Sequence, residues 1–136
     1  MDFEKLRETR NTGSPFAQRL GIVVDEISLG YARVHMDVKD EDTNPLGLAH
    51  GGCYFSLADT ASGSAMASYG YYAVTLNASY SYLRSAKVGS RMIAEARETK
   101  AGRTISVYDV QVKDQDGTLL GTGTFTFYRL DRKIEL

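Results

Sequence analysis

His50-Gly-Gly-Cys-Tyr-Phe-Ser-Leu-Ala-Asp59-Thr-Ala-Ser-Gly-Ser-Ala-Met-Ala-Ser-Tyr69 sets the architecture of this chain. Small and apolar residues dominate, no β-branched run interrupts them, and Asp59 is the only charged residue. Such a segment predicts a helix over His50 to about Tyr69 that is buried on most sides. It is too rich in Gly, Ser and Ala for a membrane span. A helix of this kind needs other elements to cover it, and the flanking sequence supplies strands.

Downstream, alternation is strong. Val74, Leu76, Ala78, Tyr80 and Tyr82 are expected on one face of a strand, with Thr75, Asn77, Ser79 and Ser81 on the other. Strand patterns follow over Arg91–Thr99, Thr104–Lys113 and Leu119–Leu130, with turn signals at Ala101-Gly102 and Asp116-Gly117. Upstream, two short strands are expected over Ile22–Ser28 and Tyr31–Val38, joined at Leu29-Gly30. The first twenty residues read as helix broken at Gly13-Ser14-Pro15, where Ser14 caps and Pro15 takes the first turn. The pattern predicts an α+β domain, an antiparallel sheet wrapped around the long helix.

With 136 residues, the chain fits a single domain spanning 1–136, large enough for a core without staples. A net charge of −1 with scattered basic residues argues against nucleic acid or an acidic membrane as partner. One cysteine, Cys53, rules out an internal disulfide and a cysteine-based metal site. The two histidines and dispersed carboxylates show no ligand spacing, so neither metal nor cofactor is implied. Met1 to Arg10 is charged throughout with no apolar signal core behind it, which predicts a cytoplasmic location.

The chemistry concentrates where Asn44-Pro-Leu-Gly-Leu-Ala-His50-Gly51-Gly52 enters the helix. The first N–H groups of a helix lack partners within it. At the positive end of the dipole they can hold a carbonyl oxygen that is gaining negative charge. Glycine at 51 and 52 would let a substrate approach closely, and Asn44 could donate a further hydrogen bond. The bland alternative is an ordinary Gly-Gly helix entry. Asp59 is alone in its segment, and a partly desolvated carboxylate there can act as base towards water. Its bland alternative is an aspartate on the helix's wet face.

Asn-x-x-Gly-x-x-His-Gly-Gly with Asp nine residues after the His resembles the hotdog-fold thioesterases of the phenylacetate-degradation-protein branch. The similarity continues through Leu83-Arg84-Ser85-Ala86-Lys87-Val88-Gly89 and Ala101-Gly102-Arg103-Thr104, covering roughly residues 16 to 130. The resemblance implies a hotdog fold and hydrolysis of an acyl-CoA thioester, with an aryl or medium-chain acyl group preferred. It implies Asp59 as general base or nucleophile, Gly51 N–H polarising the carbonyl, and Asn44 and His50 positioning thioester and loop. Some relatives hold the attacking water with a Ser or Thr on the next strand, a place assigned here to Thr75. Arg84 and Arg103, with Thr104 nearby, are the expected contacts to the CoA phosphates, and Gly52 completes the substrate-binding set.

Asp42-Thr-Asn-Pro-Leu46 also resembles the start of the hotdog hydratase motif, but Gly47 stands where that motif needs His. A non-catalytic CoA-ester-binding module is the other alternative, though it has no need of a carboxylate at the helix midpoint. Cys53, in the first helical turn, is either a nucleophile or a small core residue. Helix arithmetic adds one expectation. Gly51 and Asp59 are eight residues apart, roughly 12 Å along the axis. A carbonyl and its attacking water must meet within about 3–3.5 Å. A two-fold partner carrying an antiparallel helix can bring the two groups together. The family resemblance implies the same arrangement, a homodimer or a homotetramer built as a dimer of dimers.

Overall fold

The computed structural model describes residues 1–136. Helix α1 runs Phe3–Gly13, where the Asp2 side chain accepts the Lys5 N–H, and α2 runs Pro15–Leu20, where Ser14 accepts that of Ala17. The expected break therefore separates two helices. Strands β1 (Val23–Ser28) and β2 (Tyr31–Asp37) form a hairpin, and a loop with one 3-10 turn leads to α3, Gly51–Ala67. Strands β3 (Tyr71–Tyr82), β4 (Arg91–Ala101), β5 (Ile105–Lys113) and β6 (Leu119–Lys133) complete the chain. All pairings are antiparallel, in the order β1-β2-β4-β5-β6-β3, so β1 and β3 are the edges. The expected α+β architecture and element order both hold. No helix is long and apolar enough to cross a membrane.

The sheet curls around α3. Leu57, Ala58, Ala61 and Ala65 are fully enclosed, packed in one core with Val34, Met92, Ala94, Val110 and Phe125 from the strands. Alanines let the strands approach the helix closely, and each large side chain enclosed contributes roughly 1.5–3 kcal/mol. The buried serines stay satisfied: Ser62 donates to the Ala58 carbonyl at 2.9 Å, and Ser64 accepts from Arg10 at 2.8 Å.

One expectation fails. Val74 and Leu76 do not share a face with Ala78 and Tyr80; both are half exposed. Thr75 pairs with Phe127 and Asn77 with Thr126, leaving Leu76 as an extra, unpaired residue. This bulge inverts the alternation at its own position. Ala73 and Thr75 therefore face the helix before it, and Ala78 and Tyr80 after it; Thr75 and Ala78 pair with buried Phe127 and Phe125, and Tyr80 with Gly123.

Candidate active site

The approach to α3 is held by its own side chains. Asn44 Oδ1 accepts the N–H groups of Leu46 at 2.9 Å and Leu48 at 3.1 Å, while its carbonyl accepts that of Gly47 at 3.0 Å. Gly47 sits at φ +74°, a left-handed conformation that disfavours any side chain. His50 then caps the helix: its Nδ1 accepts the Gly52 N–H at 2.8 Å, and its carbonyl accepts that of Cys53 at 2.9 Å. A Cβ on Gly52 would stand 3.1 Å from that Nδ1, so the cap itself favours glycine there.

The Gly51 N–H is left without a protein acceptor in this turn. Its carbonyl is braced from the other side, accepting the Tyr82 hydroxyl at 2.9 Å. The Tyr82 ring lies 3.4 Å from where a Cβ on Gly51 would stand. A cavity of about 280 Å³ opens here, lined by Asn44, Gly51, Tyr54, Tyr82, Leu83 and Arg84. Tyr54 stiffens its wall, accepting the Ala86 N–H at 2.7 Å and meeting the Tyr82 ring edge-on at 5.6 Å.

Asp59 lies two turns further along α3, partly buried. Thr75 Oγ1 donates to its Oδ1 at 2.7 Å, a contact made possible because the bulge comes after Thr75 in β3. The other carboxylate oxygen has no protein donor. Both residues line a second cavity of about 510 Å³ whose walls include Phe16, Tyr72, Gly63 and Phe127.

The chain thus gathers the candidate residues in two places. Asn44, His50, Gly51, Gly52 and Arg84 gather at the N-terminal end of α3; Asp59 and Thr75 gather at its middle, in a separate cavity. Arg103 lies by Met66 and Tyr69 at the helix's far end, with Thr104 beside it in the β4–β5 turn. That is roughly 22 Å from Gly51 by helical rise, so Arg84 and Arg103 of one chain do not flank one point.

Other candidates fall into structural roles. Cys53 is buried, its Sγ donating to the Asp42 carbonyl at 3.6 Å, and burial together with nearby Asp42 pushes the thiol's pKa up. Asp42 is buried too, accepting the Lys39 N–H at 2.9 Å and pairing with Lys39 Nζ at 3.1 Å. With Gly47 in a turn and Asp42 so committed, neither half of a hydratase dyad is free. His35 pairs with Asp25 at 2.7 Å. Two lining residues, Tyr54 and Tyr82, come from a tyrosine-rich set in which the sequence leads one to expect one or two pocket-lining members, whereas Arg10 comes from a helix far away in the chain and carries no such signal.

The family model described as "Thioesterase superfamily" matches residues 46–120. A putative esterase of Archaeoglobus fulgidus is 32% identical over 128 residues, covering 94% of this chain and 83% of that protein. The Escherichia coli acyl-coenzyme A thioesterase PaaI is 35% identical over 99 residues, 73% of this chain and 71% of PaaI. The structure of E. coli PaaI superposes with a TM-score of 0.87 over 96% of this chain and 99% of that one, at 28% identity. A hypothetical thioesterase of Streptococcus pneumoniae, solved with coenzyme A, is 30% identical with a TM-score of 0.79, over 83% of this chain and 88% of that one. In two further structures of that protein an Asp and, sixteen residues later, a Thr are each replaced by Ala.

Proposed function

The chain belongs to the thioesterase superfamily, in its PaaI-like hotdog-fold branch, and from that premise we propose that it hydrolyses acyl-CoA thioesters to a free acid and CoA. The observation that carries the mechanism is the Thr75–Asp59 hydrogen bond in the wall of the 510 Å³ cavity. Thr75 fixes one carboxylate oxygen and leaves the other for the reaction. The sixteen-residue spacing of this pair equals that of the Asp and Thr replaced in the S. pneumoniae protein, which supports the reading.

The thioester carbonyl accepts the free Gly51 N–H at the positive end of α3, where developing charge on oxygen is stabilised. Asp59 takes a proton from water as the water oxygen bonds to the carbonyl carbon. The C–S bond then breaks, the acid departs, and the proton goes to the CoA sulfur. Direct attack by Asp59, followed by hydrolysis of the resulting anhydride, uses the same geometry. Asn44 and His50 hold the loop that presents Gly51, and the cavity beside Asp59 accommodates an aryl or medium-chain acyl group. Arg84 of one chain and Arg103 with Thr104 of the other lie at the surface for the CoA phosphates.

Each complete site takes Gly51 from one chain and Asp59 from a two-fold partner. The β3 edge supports this: it is twelve residues long, unpaired, and half-exposes Val74, Leu76 and Tyr82. Such an edge invites pairing with a second copy.

The function is tested by thiol release from a panel of acyl-CoA esters with wild type and Asp59→Asn. The substitution keeps the shape and removes the base, so kcat falls roughly 10²–10⁴-fold with KM little changed. Wild-type kcat in a folded Asp59→Asn protein contradicts the assignment.

A further inference from the structure

The cavity beside Asp59 contains a cation that the reaction above does not use. Arg10 reaches from α1 across to α3, where its Nε donates to buried Ser64 Oγ at 2.8 Å. Its Nη2 lies 3.2 Å from where a Cβ on Gly63 would stand, so the guanidinium rests on the one bare position of that helix turn. Among the residues lining the cavity, Arg10 and Asp59 are the only charged ones. Most polar neighbours are already committed: Asn11 to the backbone of Val24, Thr9 to the Lys5 carbonyl, Ser14 to the Ala17 N–H, and Thr60 to the Ser56 carbonyl.

Arg10 has no such closure. It makes no ion pair within 4.0 Å, and neither Nη atom has a hydrogen-bond acceptor. Desolvation holds the guanidinium's pKa below its usual value, opposed by the negative charge of Asp59 and by Tyr72, yet the group stays charged at neutral pH. A partly buried cation with both Nη groups unpaired is costly unless an acceptor reaches it. Its planar fork matches a carboxylate.

Building on the thioesterase reading, we propose that the cavity selects acyl groups ending in a carboxylate, which the two Nη atoms of Arg10 hold. The substrates are then CoA half-thioesters of dicarboxylic acids. The reacting carbonyl lies at Asp59, and the guanidinium lies over Gly63, one helical turn on, about 6 Å along the axis. Four or five carbon–carbon bonds of about 1.5 Å, in a zigzag, cover that span. Glutaryl and adipyl groups have this length. A shorter diacid would leave its carboxylate facing Asp59, where like charges repel.

The test compares kcat/KM for adipyl-CoA and hexanoyl-CoA, and for glutaryl-CoA and pentanoyl-CoA, by thiol release. Wild type prefers the carboxylated member of each pair. In Arg10→Met that preference falls roughly 10- to 100-fold, chiefly through KM, as expected for losing a charged hydrogen-bond pair. Arg10→Lys, which keeps the charge without the fork, retains part of it. Equal losses on both members of a pair overturn the inference, because a residue that only braces α3 or Asp59 would affect them alike. Wild-type turnover of hexanoyl-CoA without preference for adipyl-CoA overturns the inference alone. No turnover of any ester overturns the thioesterase reading and the inference with it. The wild-type comparison decides even if Arg10→Met fails to fold.

Discussion

Two inactive variants should restore activity when their chains are mixed. Asn44→Ala removes the oxygen that accepts the Leu46 and Leu48 N–H groups, so the loop presenting Gly51 loses its shape. Each N–H left unmatched costs roughly 1–3 kcal/mol where water cannot replace the partner. Asp59→Ala removes the carboxylate held by Thr75. Gly51 and Asp59 of one chain are about 12 Å apart along α3 and line different cavities, so neither variant can repair its own site. In a heterodimer, one site combines both defects, while the other combines the intact loop of one chain with the intact Asp59 of its partner. Random pairing makes half of the dimers mixed, each with one working site of two, so activity returns to about a quarter of wild type per subunit. The assay unfolds the two proteins together, refolds them, isolates doubly tagged dimers and follows thiol release. Purified heterodimers no more active than their parents refute a shared site, and so does an active monomer.

Thr75→Val keeps the side chain's shape and removes the donor to Asp59; kcat should fall roughly 10- to 100-fold, with KM changing much less. Cys53→Ala leaves a small cavity, and turnover should stay within about tenfold. The Cys53 thiol's pKa is raised by burial and Asp42, so its thiolate fraction at neutral pH lies below that of a free cysteine. Iodoacetamide should therefore label it slowly at pH 7 and faster as pH rises; rapid labelling at pH 7 contradicts this.

The central helix was legible because burial leaves a compositional trace: a long run of small residues with one carboxylate must be covered by other elements, and the flanking sequence alternates as strands do. The entry loop was legible for a similar reason, since Asn44, Gly47, His50 and Gly52 each meet a backbone requirement within a few residues of themselves. Strand β3 was misread in its faces, and the cause is local. Leu76 has no residue type that announces a bulge, and alternation carried past it assigns Val74 to the core and Thr75 to solvent. Arg10 was missed because its partner, Ser64, lies 54 residues away, and Tyr82 could not be told apart from the other tyrosines because its partner, Gly51, lies 31 residues away. Only the folded chain brings them to the helix.

Strand β3 touches the proposed catalytic groups at two places. At Thr75 it steadies its own chain's Asp59; seven residues later, at Tyr82, it braces its own chain's Gly51. In a dimer with shared sites, those two groups serve different substrate molecules. The strand is then a common beam between neighbouring reactions, and a substrate that shifts Thr75 strains the Tyr82 brace next door. Turnover at one site would not be independent of occupancy at the other, and a single strand of backbone would carry the message.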